Sequence, residues 1–111
     1  MEIHYYVDAR GKTPFLDRLK SFDYSIRARI LRARLRWESG NLGHIRALGA
    51  GIYESKMDYG GGLRVYFGRD GERVILLLLC GNKATQSKDI FLSKQYWVDY
   101  TKGAKNAKEI G

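Results

Sequence analysis

The chain has 111 residues, 44% of them apolar, which leaves room for one domain around one core. Lysine and arginine total 20 against 12 acidic residues, and the resulting charge of +8 points to a polyanionic or acidic partner: RNA, DNA, an anionic membrane or an acidic protein. The single cysteine, Cys80, excludes an internal disulfide, and with no long apolar run and no basic-then-apolar leader the expected compartment is the cytoplasm.

Taken in order, Glu2 to Val7 reads as a short strand closed by the turn Asp8-Ala9-Arg10-Gly11. A helix follows, with Thr13 placed to cap, Pro14 suited to the first helical position, and Phe15, Leu16 and Leu19 forming an apolar stripe. Phe22-Asp23 gives a break and a new cap. The second helix, from Tyr24 to Ser39, carries two apolar stripes when residues are placed at about 100° steps. Ile26, Ile30, Ala33 and Trp37 form one; Tyr24, Ala28, Leu31 and Leu35 lie nearly opposite. One stripe must face a sheet, and the other needs a second cover, which the short first helix could supply. Five arginines, Arg27, Arg29, Arg32, Arg34 and Arg36, fill the flanks, either as a solvated face or as a docking surface for an acidic partner.

After a loop around Asn41 to His44, strand signals arrive at about 52–58, 63–68 and 73–80, with Gly60-Gly61-Gly62 and Arg69-Asp70-Gly71-Glu72 as the turns of an antiparallel meander. Val74 to Leu79 is apolar on both faces, as a strand covered on both sides would be. Thr85 opens a last helix to about Tyr100, with Ile90, Phe91, Lys94 and Trp97 expected to face inward. The predicted class is α+β: a single domain over 1–101 and a flexible basic tail over 102–111.

Alternation sets what the strands present. Arg64 and Tyr66 share one face of 63–68, and antiparallel pairing brings Glu54 and Lys56 beside them. Lys83, just past the third strand, can reach the rim. Such a set suits RNA cleavage, which needs a proton acceptor for the 2′-hydroxyl, cations for the pentacoordinate phosphorus and an acid for the leaving 5′-oxygen. Glu54 or a lysine could be the base, Arg64 and Lys56 the charge stabilisers, and Lys83 a phosphate contact. Tyr66, Arg46 and Lys88 are the candidate substrate contacts. The competing reading is an ordinary sheet face with paired surface charges. His4 and His44 are too few and too far apart to suggest a metal site, and Cys80 reads as a packing residue.

Several of these segments occur together in a pattern that resembles a known family. Thr13-Pro14-Phe15, Gly40-Asn41-Leu42-Gly43, Tyr53-Glu54, Gly62-Leu63-Arg64-Val65-Tyr66-Phe67 and Leu78-Leu79-Cys80-Gly81-Asn82-Lys83-Ala84-Thr85-Gln86, then Asp89-Ile90 and Trp97, are similar to the RelE/ParE superfamily of type II toxins, above all its RelE/HigB-like addiction module killer group. The resemblance spans roughly residues 3–98 and implies the order β-α-α-β-β-β-α. It implies a toxin that cleaves mRNA in the ribosomal A site, without metal or cofactor. Its partners would be the ribosome, mRNA and an antitoxin, of helix-turn-helix type and from an adjacent gene, bound as a hetero-oligomer. The family's strand arginine falls on Arg64 and the basic residue after the last strand on Lys83. Lys56 stands where the family has arginine, losing the bidentate fork. No clear counterpart exists for the C-terminal tyrosine some members use; Tyr96 and Tyr100 lie on a helix. The resemblance also gives the second stripe a use, with Arg27, Leu31, Arg34 and Leu35 as antitoxin contacts. A gyrase-inhibiting ParE-like protein and a non-catalytic relative remain open alternatives.

Overall fold

The computed structural model describes residues 1–103 and the backbone of 107–109. Strand β1 (Glu2–Tyr6) enters a turn held by Asp8, whose Oδ1 accepts from the N–H groups of Arg10 and Lys12 at 2.9 Å each. Helix α1 (Pro14–Lys20) follows with Pro14 in its first turn, where a missing N–H costs nothing. Thr13 stands at the cap position, but its side chain makes no capping bond, contrary to its expected role. Helix α2 (Tyr24–Glu38) does start on a side-chain cap: Asp23 Oδ1 accepts from Ile26 N at 3.0 Å, and this bond, with one from the Ser25 hydroxyl, holds the carboxyl below its ordinary range.

Strands β2 (Ile45–Gly49), β3 (Ile52–Met57), β4 (Leu63–Asp70) and β5 (Val74–Gly81) come next, then a short 3-10 turn over Lys83–Thr85, helix α3 (Gln86–Lys102) and strand β6 (Ala107–Glu109). They form one mixed sheet in the order β2-β3-β4-β5-β1-β6, with β1 parallel to β5 and the other pairs antiparallel. The class is α+β, as expected, but the element order is β-α-α-β-β-β-β-α-β rather than β-α-α-β-β-β-α. The meander over β3, β4 and β5 is present. β2 escapes a sequence reading because it is an edge strand with four of its five residues exposed, so burial imposes no alternation on it. β6 falls inside the expected tail; residues 104–106 and 110–111 of that tail lie outside the described residues.

Helices α1 and α2 cover one face of the sheet. Phe15 and Leu19 of α1 and Ile30, Ala33 and Trp37 of α2 are buried against Ile3, Leu63, Val65, Phe67, Ile75 and Leu77. Helix α3 covers the other face, where Trp97 and Tyr100 pack on Tyr6, Ile52, Leu76 and Leu78. β5 is therefore apolar on both sides because it is covered on both. A bulge places one extra residue of β5 opposite the step from Tyr66 to Phe67. It turns Cys80 onto the α1 side, where its thiol approaches Phe15 O at 3.7 Å and burial pushes its pKa up to about 12.

The inward side of α3 holds Trp97, as expected, but not Phe91 or Lys94. Asp89, Ser93, Trp97 and Tyr100 are buried, spaced by four, four and three, whereas Phe91 is 60% exposed and Lys94 faces solvent. Two glycines permit this. A Cβ on Gly68 would lie 2.1 Å from Trp97 Cζ3, and one on Gly81 would lie 2.0 Å from Asp89 Oδ2, so the helix settles where bare backbone admits an indole and a carboxylate. Among the described residues no helix is long and apolar enough to cross a membrane.

Candidate functional site

Pairing of β3 with β4 sets Glu54 opposite Tyr66 and Lys56 opposite Arg64, the juxtaposition expected from alternation. Glu54, Lys56 and Arg64 point to the α3 side, beyond the N-terminal end of that helix. With His44, Ile45, Arg46 and Gln86 they line a cleft of about 320 Å³. Glu54 lies at its base, only 5% exposed, and is surrounded by donors. Gln86 Nε2 donates to Glu54 Oε2 at 2.9 Å, Arg46 Nη2 is 3.4 Å from Oε1, and Arg64 Nε is 3.7 Å from Oε2. Arg64 is as buried as its partner and spends Nη1 on Gly62 O at 2.6 Å, which braces the guanidinium against the glycine turn. Lys56 is half exposed at the mouth, 4.0 Å from Asp58.

Of the residues singled out in the sequence, the structure thus brings together Glu54, Lys56, Arg64 and Arg46. Tyr66 does not join them at the mouth: it is fully buried beneath α3, so its ring offers no surface to a nucleobase. Among the described residues its hydroxyl has no full hydrogen bond, and its pKa is raised by burial first and then by the nearby charges of Glu54 and Asp89. Lys83 is exposed at the rim, its N–H donating to Gly61 O at 3.3 Å, and Lys88 is exposed on the first turns of α3; neither lines the cleft. His44 and Gln86 do line it and were missed. Gln86 carried a signal in the run Lys83-Ala84-Thr85-Gln86, but only the Asn82 cap, accepting from Ala84 N at 2.9 Å, shows how that turn carries the amide to Glu54. For His44 there was none, because β2 was unread.

Behind the cleft lies a buried polar layer. Asp89 is wholly buried; its Oδ2 accepts from Arg18 Nη1 at 3.0 Å and from the Thr85 hydroxyl at 2.6 Å, while its Oδ1 and the Ser93 hydroxyl have no partner among the described residues. Arg18 Nη1 also donates to Cys80 O at 3.2 Å. A larger hollow of about 660 Å³ runs along Phe91, Lys94 and Val98 on the outer side of α3. None of the residues singled out for chemistry reaches it, so chemistry rather than size selects the cleft. Among the described residues no group of three or more His, Cys, Asp or Glu gathers as a metal site would require.

The second stripe of α2 is bare. Leu31 is 51% and Leu35 60% exposed, so α1, packed on β5 and β1, does not cover it. Arg27 flanks the stripe half-buried, and Arg34 Nε lies 3.2 Å from Glu38 Oε1.

Fold and cleft together define a small basic α+β domain with a cation-lined carboxylate at the end of a β-hairpin. A protein of Haemophilus influenzae, described as an uncharacterized protein, is 41% identical over 69 residues, covering 62% of this chain and 66% of its own length. The chain thus spans just under two thirds of that relative. No family model matches the chain, and no solved structure does.

Proposed function

We propose that this protein is the toxin of a type II toxin–antitoxin pair, with a RelE-like arrangement of its core elements, and that it inhibits translation by cutting mRNA on the ribosome. The observation that carries the reading is the Glu54 carboxylate clamped by Arg46, Arg64 and Gln86 at the base of a cleft whose mouth holds Lys56. Glu54 is held by the Gln86 hydrogen bond and by the charges of two arginines, and its work is to orient those two guanidinium groups toward a scissile phosphate. His44, exposed in the same cleft, accepts the 2′-hydroxyl proton without breaking an ion pair. The 2′-oxygen then bonds to phosphorus, the bond to the 5′-oxygen breaks, and the Lys56 ammonium returns a proton to that oxygen. Arg64 and Arg46 stabilise the charge that builds on phosphorus, and Lys83 at the rim meets a flanking phosphate. Every step uses a protein side chain. The bare Leu31 and Leu35 stripe with Arg27 and Arg34 suits an amphipathic acidic segment of an antitoxin.

The test is expression without antitoxin. Growth arrest with mRNA cut inside ribosome-covered codons is the expected result. DNA damage with translation intact would indicate a gyrase inhibitor instead. Arg64→Ala should lose toxicity by at least a hundredfold in plating efficiency. Because Arg64 is buried, Lys56→Ala, at an exposed position, provides the control for folding. Full arrest by both variants, each folded by circular dichroism, would sink the assignment.

A further inference from the structure

The cleft leaves three arginines of α2 unused. Arg29, Arg32 and Arg36, spaced by three and four, share one flank of that helix and with Met57, Asp58 and Tyr59 line a half-open cavity of about 260 Å³. Arg29 Cζ sits 4.1 Å above the centre of the Tyr59 ring, which fixes that guanidinium at the wall. Among the described residues none of the three lies within 4.0 Å of a carboxylate, whereas Arg18, Arg34, Arg46 and Arg64 each do. The one acid on the wall, Asp58, is almost fully exposed and lies beside Lys56. Three converging cations without a counter-charge repel one another, and a bound polyanion relieves that cost.

Position identifies the anion. Lys56 lines the cleft and Met57 to Tyr59 line the arginine cavity, so about 10 Å of extended chain separates the two on opposite faces of the same hairpin end. The arginine flank is centred about 110° around α2 from the Leu31 and Leu35 stripe, at 100° per residue, so Arg29 and Arg36 point away from the apolar surface that an amphipathic acidic helix would need. The cavity is small and offers guanidinium forks rather than an apolar floor, which suits a single phosphate.

We infer that Arg29, Arg32 and Arg36 form a second phosphate site, which grips the backbone of the RNA strand as it leaves the cleft over the β3–β4 hairpin. The inference rests on the cleft being an RNA site, and it makes the protein a reader of strand length: RNA long enough to span both sites binds more tightly than RNA that fills one.

The test is fluorescence anisotropy of the full-length protein with 2′-O-methyl RNA, which resists cleavage at the 2′ position, as a 4-mer and a 12-mer over a salt series. The wild type should favour the 12-mer. Arg32→Ala/Arg36→Ala, at exposed positions, should weaken 12-mer binding at least tenfold and flatten the salt slope by about 1.4, two contacts at roughly 0.7 each for a single strand. Unchanged affinity in that variant overturns the site, even if Arg64→Ala still abolishes mRNA cutting. Weakened binding together with undiminished cutting by Arg64→Ala leaves this site standing and removes the cleft as the cutting site. Binding of polyglutamate but not of the 12-mer by the wild type overturns the RNA assignment.

Discussion

Arg18 on α1 and Asp89 on α3 meet at 3.0 Å, Nη1 to Oδ2, although 71 residues and the sheet between the two helices separate them. The contact passes beside the bare backbone of Gly81, the only place where the two layers exchange a charge directly among the described residues.

Arg18→Ala leaves a wholly buried carboxylate without its cation, and a broken buried pair costs about 3–5 kcal/mol. Chemical denaturation should show that loss. Gly81→Ala should cost a comparable amount, since its Cβ would collide with Asp89 Oδ2. A loss below about 1 kcal/mol in both variants would mean that the pair is not a structural tie.

Trp97 closes the opposite end of the α3 face. Its Nε1 donates to Ala50 O at 2.6 Å, holding a turn in which Ala50 takes φ 55°, and its ring lies on the bare Cα of Gly68. Gly68→Ala should destabilise by about 3 kcal/mol or more, because the new methyl overlaps the indole. In a Trp97→Leu background the same change should cost at least about 1 kcal/mol less, a coupling that a double-mutant cycle reads directly. Strict additivity would show that the methyl meets something other than Trp97.

Tyr66 gives the third prediction. Its buried hydroxyl makes no full hydrogen bond among the described residues, although the Glu54 carboxylate is near, so Tyr66→Phe removes a poorly met polar group and should leave stability unchanged or raise it by about 1 kcal/mol. The pH dependence follows from the raised pKa. The unfolded phenol ionises near 10.0 while the folded one stays neutral, so stability present below pH 10 is lost as the pH climbs past it. Tyr66→Phe should flatten that alkaline loss by up to about 1.4 kcal/mol per pH unit. A variant that unfolds earlier than wild type at pH 7 would show that the hydroxyl does find a partner.

Much of this molecule is legible in its residues because local rules act on them directly. Asp23 caps α2, Pro14 opens α1, and Ile30, Ala33 and Trp37 face the sheet as a 3.6-residue period requires. Period-two alternation places Glu54, Lys56 and Arg64 together on one face, and Arg46, a candidate from the start, arrives with them. The failures have two causes. β2 carries no burial signal to read, and α3 presents Asp89 and Ser93 inward because Gly68 and Gly81, distant in sequence, hollow out the surface it meets.

By itself the sequence determined the class, the stripes of α2 and the pairing that collects Glu54, Lys56 and Arg64, since all of these depend on spacing along one or two neighbouring segments. Only the tertiary structure decided which cations reach Glu54, that Tyr66 lies beneath α3 rather than at the mouth, and that Arg29, Arg32 and Arg36 converge on Tyr59. Those outcomes depend on how layers far apart in the chain come to rest on one another, and periodicity within a segment carries no information about what will cover it.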